Sequence, residues 1–151
     1  MASGSPCVAI SSSCPAVRVP RKKLAELVTF VAAREGARLG EVEIAVVGLE
    51  EIASLNRRYL RHAGPTDVLS FDLSETGKAG ICAQLVVCGD VAKRQARLRG
   101  IPFHRELMLY VVHGLLHLMG YEDQSVRGAA KMHAREEELL WEFLDRGTVR
   151  P

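Results

Sequence analysis

His113 and His117 stand four residues apart in the run His113-Gly114-Leu115-Leu116-His117-Leu118-Met119-Gly120-Tyr121-Glu122-Asp123. On a helix, that spacing puts two imidazoles on one face, roughly 40° apart in azimuth and about 6 Å apart along the axis. Two such nitrogens can meet one zinc ion at about 2.0–2.1 Å each. The surrounding residues, Leu107 to Leu118, are almost all apolar. An apolar setting disfavours imidazolium, and neutral imidazole is the form that binds metal. The alternative is a pair of core histidines satisfied by backbone carbonyls.

Gly120 is a natural helix stop, because glycine takes the left-handed backbone without steric cost. It would turn the chain so that Glu122 or Asp123 folds back over the histidines. Two histidines, a carboxylate and a water make a catalytic type of site with an open position. Zinc peptidases of the His-Glu-x-x-His type carry a glutamate base beside the first histidine. Gly114 stands there instead, which disfavours a peptidase. This glycine permits either close approach of substrate or tight helix packing.

Glu136 shares a helical face with Met132 and Leu140, so it can point inward and accept a hydrogen bond from a ligating histidine. Asp67 and Ser70 are expected to hold a turn and a strand near the site. Basic residues gather as Arg57, Arg58, Arg61 and His62, and as Lys93, Arg94, Arg97 and Arg99. Lys93 and Arg97 are i, i+4 neighbours. Beside a metal the two clusters would form an electropositive channel for an RNA backbone, with Arg57, Arg58, Arg61, Ser70, Lys93 and Arg97 as its expected contacts. Aromatic residues make up only 5% of the chain, which argues against recognition mainly by base stacking.

These residues need a scaffold, and the periodicities supply one. Strands are expected at Cys7–Ser12, Glu41–Val47, Val68–Leu73 and Gln84–Cys88. Helices are expected at Arg21–Glu35, Leu49–Leu60 and Asp90–Arg99, from Pro102 to Gly120, and at Val126–Leu144. Two connections between strands read as too short for a crossover helix, so a mixed sheet is expected. The fold class is α+β: about four strands packed with about five helices.

The 151 residues fit one domain, 1–151, with residues 1–6 expected to be disordered. A net charge of +2 excludes wholesale, histone-like charge neutralisation but allows a local basic patch. Cys7, Cys14, Cys82 and Cys88 form no Cys-x-x-Cys pair, so a cysteine-ligated zinc is not expected. They read as reduced thiols of a cytoplasmic protein. No signal peptide is evident, and no apolar run is long enough to span a bilayer.

The histidine block resembles the signature His-Gly-x-Leu-His-Leu-x-Gly-Tyr-Asp-His of the YbeY family, zinc-dependent bacterial endoribonucleases. Pro65-Thr66-Asp67-Val68-Leu69-Ser70-Phe71 is similar to that family's second block, and Leu55-Asn56, Tyr59, Met132 and Glu136 match flanking positions. The resemblance spans roughly Glu41 to Leu144. It implies one zinc per chain, held by His113, His117 and Asp123. It also implies cleavage of single-stranded RNA by a metal-activated water, in 16S ribosomal RNA maturation and ribosome quality control. The implied partners are the small ribosomal subunit and an Era-type GTPase, with no membrane. Four places depart from the family. Ala83-Gln84 stands where a Gly-Asp is expected before the fourth strand. Asp123 stands where the third histidine ligand is expected. Glu122 replaces the aspartate before it. Leu60 replaces an arginine implied to engage phosphate, a role that either moves to Arg61 or is lost. A non-catalytic ribosome maturation factor with a structural metal is the alternative.

Overall fold

The structure is a computed structural model that describes residues 7–60, 67–74 and 80–146. The expectations for residues 1–6 and for Arg61 and His62 lie outside the described residues. The elements run β1 (Cys7–Ser12), α1 (Arg21–Glu35), β2 (Leu39–Val47), α2 (Leu49–Leu55), β3 (Val68–Asp72), β4 (Ile81–Cys88), α3 (Gly89–Arg99), α4 (Phe103–Leu118) and α5 (Val126–Asp145). The fold is α+β, with a four-stranded mixed sheet and five α-helices among the described residues.

The strands lie in the order β1-β2-β4-β3. β1 and β4 flank β2 in parallel, and β3 runs antiparallel along β4. The antiparallel edge follows from the short β3–β4 link, which leaves no room for a crossover. Among the described residues this is the one link without a helix, since α1 and α2 occupy the other two. The second short connection expected from the sequence is therefore absent.

Alternation along the strands separates two faces. Val42, Ile44 and Val46 of β2 and Leu85 and Val87 of β4 are buried on one face. The buried stripe of α1 (Leu24, Leu27, Val28, Val31) and most of α4 complete this core. Burying one such side chain contributes about 1.5–3 kcal/mol. α4 is apolar on nearly every side because it is packed between the sheet and the other helices. α2 lies over the opposite face, near Val86 and Ala45.

One helix differs from expectation. Leu49–Leu60 is not continuous: α2 ends at Leu55, and a π-helical turn runs from Asn56 to Leu60. The widened turn starts at Asn56, a buried polar residue. An asparagine side chain competes with the backbone for helical hydrogen bonds, which favours such a break.

Candidate functional site

The site begins with how α4 meets the sheet. A Cβ on Gly114 would lie 2.9 Å from Leu85 Cδ2 and 3.0 Å from Ser70 Oγ. Glycine therefore lets α4 settle onto β3 and β4, and Ser70 Oγ donates to the Gly114 carbonyl at 3.3 Å. Position 114 faces the sheet, so the side chain of a peptidase base has no room there. Of the two readings open for this glycine, tight packing accounts for its surroundings.

With Gly114 against the sheet, His113 and His117 turn to the end of α4 near α5. Gly120, at φ +102°, stops the helix. The Gly120 N–H donates to His117 O at 3.1 Å and the Tyr121 N–H to Leu116 O at 3.0 Å, the paired bonds of a Schellman turn. The reversed chain brings the Tyr121 carbonyl within 3.2 Å of His117 Nδ1. The Tyr121 hydroxyl donates to Glu35 on α1 at 2.9 Å, tying the turn to the body of the protein.

The two acids after Tyr121 part ways. Glu122 accepts from Gln124 N at 2.8 Å, from Ser125 N at 3.2 Å and from Ser125 Oγ at 2.8 Å. Ser125, then the backbone of Ser125 and Gln124, hold this carboxyl below the usual carboxylate range. Glu122 shapes the entry to α5, where Ser125 Oγ caps the helix by accepting from Gly128 N at 2.9 Å. Asp123 turns inward. Its Oδ2 lies 3.3 Å from His117 Nε2 and 3.8 Å from His113 Nε2. The two Nε2 atoms are 3.1 Å apart.

These spacings fit a metal. Tetrahedral ligand atoms at about 2.0–2.1 Å from one zinc lie roughly 3.3 Å from each other. His113, His117 and Asp123 each offer one ligand atom, and all three atoms lie within 4.8 Å of one another. The far side of each ring is fixed as well. Glu136, buried on α5, holds His113 Nδ1, and the Tyr121 carbonyl accepts from His117 Nδ1. Both Nε2 lone pairs are thereby aimed into the same space. Burial alone would lower the His113 pKa. The hydrogen bond to Glu136 and the charges of Glu136, Asp67 and Asp123 outweigh it, and the net shift is upward.

A cleft of about 480 Å³ opens beside His113, between α3, α4 and α5. Asp67 and Glu136 line it together with His113. Arg94, Gln95 and Arg99 come from α3, and His133 from α5. Arg99 grips both oxygens of buried Glu106, at 2.8 and 3.0 Å. The Tyr110 hydroxyl is pushed well up, first by burial and then by its bond to Glu106.

Of the basic residues singled out from sequence, Arg94 and Arg99 line this cleft, and the other described ones do not. Lys93 donates to the Ala16 carbonyl at 3.3 Å, and Arg97 is exposed; neither lines this cleft. Arg57 and Arg58 are exposed on the π-helical turn, with the Arg58 guanidinium 5.7 Å from the Tyr59 ring centre. Ser70 is occupied by the Gly114 carbonyl. His133 escaped the sequence reading, although its position three residues before Glu136 was the available signal.

The chain is similar to several known proteins. A family model described as Endoribonuclease YbeY matches residues 14–144. An Endoribonuclease YbeY of Bacillus licheniformis is 36% identical over 137 residues, covering 82% of this chain and 87% of its own. One from a Nocardioides species is 38% identical over 128 residues, covering 79% and 86%. The solution structure of TM1509 from Thermotoga maritima superposes with a TM-score of 0.61 at 26% identity, over 92% of this chain and 90% of that one.

Proposed function

The chain belongs to the Endoribonuclease YbeY family, and from that membership we propose that it is a zinc-dependent endoribonuclease specific for single-stranded RNA. The observation that carries this reading is the convergence of His113 Nε2, His117 Nε2 and Asp123 Oδ2, with each imidazole oriented from behind. A zinc ion bound there supplies Lewis-acid polarisation of a phosphodiester and acidifies a coordinated water.

The chain's own residues do the rest. His113 Nδ1–H donates to Glu136 and His117 Nδ1–H donates to the Tyr121 carbonyl, so both rings keep an Nε2 lone pair to present. Asp123 adds a carboxylate, which gives the donor set one negative charge where three histidines would have none. That charge reduces the acidity of a coordinated water and widens the range of metals accepted. Arg57, Arg58 and Arg61 are proposed to meet backbone phosphates, with Arg61 taking the role lost at Leu60. Ser70 acts by seating α4 on the sheet.

We assign the enzyme to 16S ribosomal RNA maturation and ribosome quality control in the cytoplasm, with the small ribosomal subunit and an Era-type GTPase as partners. No helix among the described residues is long and apolar enough to cross a membrane. The test is incubation of purified protein with single-stranded RNA, with and without chelator. Cleavage should disappear with chelator and in His117→Ala. RNA cleavage that survives both would sink the metal mechanism. Absence of cleavage by the zinc-loaded wild type would leave a structural metal as the better reading.

A further inference from the structure

We infer that the cleft between α3 and α5 holds a backbone phosphate of the RNA flanking the scissile bond, gripped by Arg94 from one wall and His133 from the other. The inference rests on the nuclease reading above and extends it to residues outside the metal centre.

The cleft is polar in a directional sense. Asp67 and Glu136 both act on the charge of His113, so its histidine end is acidic and suits a cation. The α3 wall is basic. There, Arg99 is committed to buried Glu106. Arg94 lines the same wall, is exposed, and forms no ion pair among the described residues. An uncompensated guanidinium beside an amide donor, Gln95, is suited to phosphate oxygens, which its planar fork matches two at a time.

The opposite wall supplies His133. Its side chain is 68% exposed, and its Nδ1 stands 3.8 Å from Glu136 Oε1, beyond hydrogen-bond range. The ring is free to turn and donate to a phosphate. The space, about 480 Å³, is within the range of small-ligand pockets and admits one nucleotide unit. A metal at one end and a guanidinium at the other would hold successive phosphates of one strand.

The experiment compares Arg94→Ala and His133→Ala with wild type and with Lys23→Ala, which removes an exposed cation on α1. Two readouts are used: steady-state cleavage of a single-stranded RNA, and binding of the same RNA by fluorescence anisotropy in the presence of chelator, where cleavage stops. Arg94→Ala should raise KM and the binding Kd about tenfold, with kcat within about twofold. It should also reduce the slope of log affinity against log salt by about one. His133→Ala should act in the same direction by less, and Lys23→Ala should leave both readouts at the wild-type level. If Arg94→Ala matches Lys23→Ala in KM, Kd and salt slope, the phosphate subsite is wrong even though the enzyme cuts RNA. If wild type binds the RNA with these dependences but does not cut it, the nuclease reading falls and the subsite stands.

Discussion

Glu136 on α5 faces His113 on α4 with its carboxylate on Nδ1, so a buried acid stands directly behind one candidate metal ligand. The contact joins two helices that enclose the site. It fixes which nitrogen of His113 is available.

Glu136→Gln keeps the shape of the side chain but can no longer act as an anionic acceptor. Zinc affinity should drop by about 10–100-fold, the usual cost of losing an outer-shell partner. Competition with a chromophoric chelator measures it. Unchanged affinity would show that Glu136 has no part in orienting the ring.

The same pair gives a pH dependence to the metal-free protein. The His113 pKa is raised in the fold above its ordinary value of 6.5. Its contribution to stability is therefore fully present below about pH 6.5 and is lost as pH rises through the elevated folded value. Urea unfolding of metal-free wild type should show this decline, and Glu136→Gln should flatten it. Zinc uptake should strengthen over the same rise, since protons and metal compete for imidazole.

Asp123 and Glu122 make a paired test. Asp123→Ala should lose the metal. Asp123→His should keep or tighten it, and should move the acid limb of the cleavage profile to lower pH by removing a negative ligand. Glu122→Gln should retain a full equivalent of zinc by elemental analysis while lowering the thermal midpoint, because its oxygens serve the α5 entry. Loss of metal in Glu122→Gln instead would exchange the roles of the two acids.

Gly114→Ala sets helix propensity against packing. Alanine gains about 1 kcal/mol in a helix interior. The added methyl presses on Leu85 and Ser70 in a filled core, where overpacking costs about 1–3 kcal/mol. A net loss of about 1 kcal/mol in urea unfolding is expected. A gain would mean that α4 can lift from the sheet without penalty.

Much of this architecture was legible beforehand, and the reasons are local. Gly36, Gly100 and Gly120 end their helices with positive φ, as glycines at those places should. The i, i+4 histidines needed only helical geometry to be paired. What could not be read was the direction α3 faces. Lys93 and Arg97 are neighbours on α3, but the burial of Val91, Ala92 and Ala96 sets the rotation of that helix, and Arg94 and Arg99 line the cleft. The π-helical turn at Asn56 was hidden because periodicity alone carries α2 straight through it. Helical geometry left Glu122 and Asp123 both open, and only the family resemblance favoured Asp123. The Ser125 cap separates them by claiming the first.

His113, His117, Asp123 and Glu136 all come from one continuous helix–turn–helix stretch, with His113 and Glu136 only 23 residues apart in the chain. The β2–β4 pairing, by contrast, joins residues about twice as distant in sequence. Assembly of the site therefore closes a short loop, at a smaller entropic cost than closing the sheet. A bound metal would act as a clasp on the C-terminal helical hairpin, steadying it without being needed for the strands to find one another. Metal loss should then register first as fraying of α5, with the sheet still protected from hydrogen exchange.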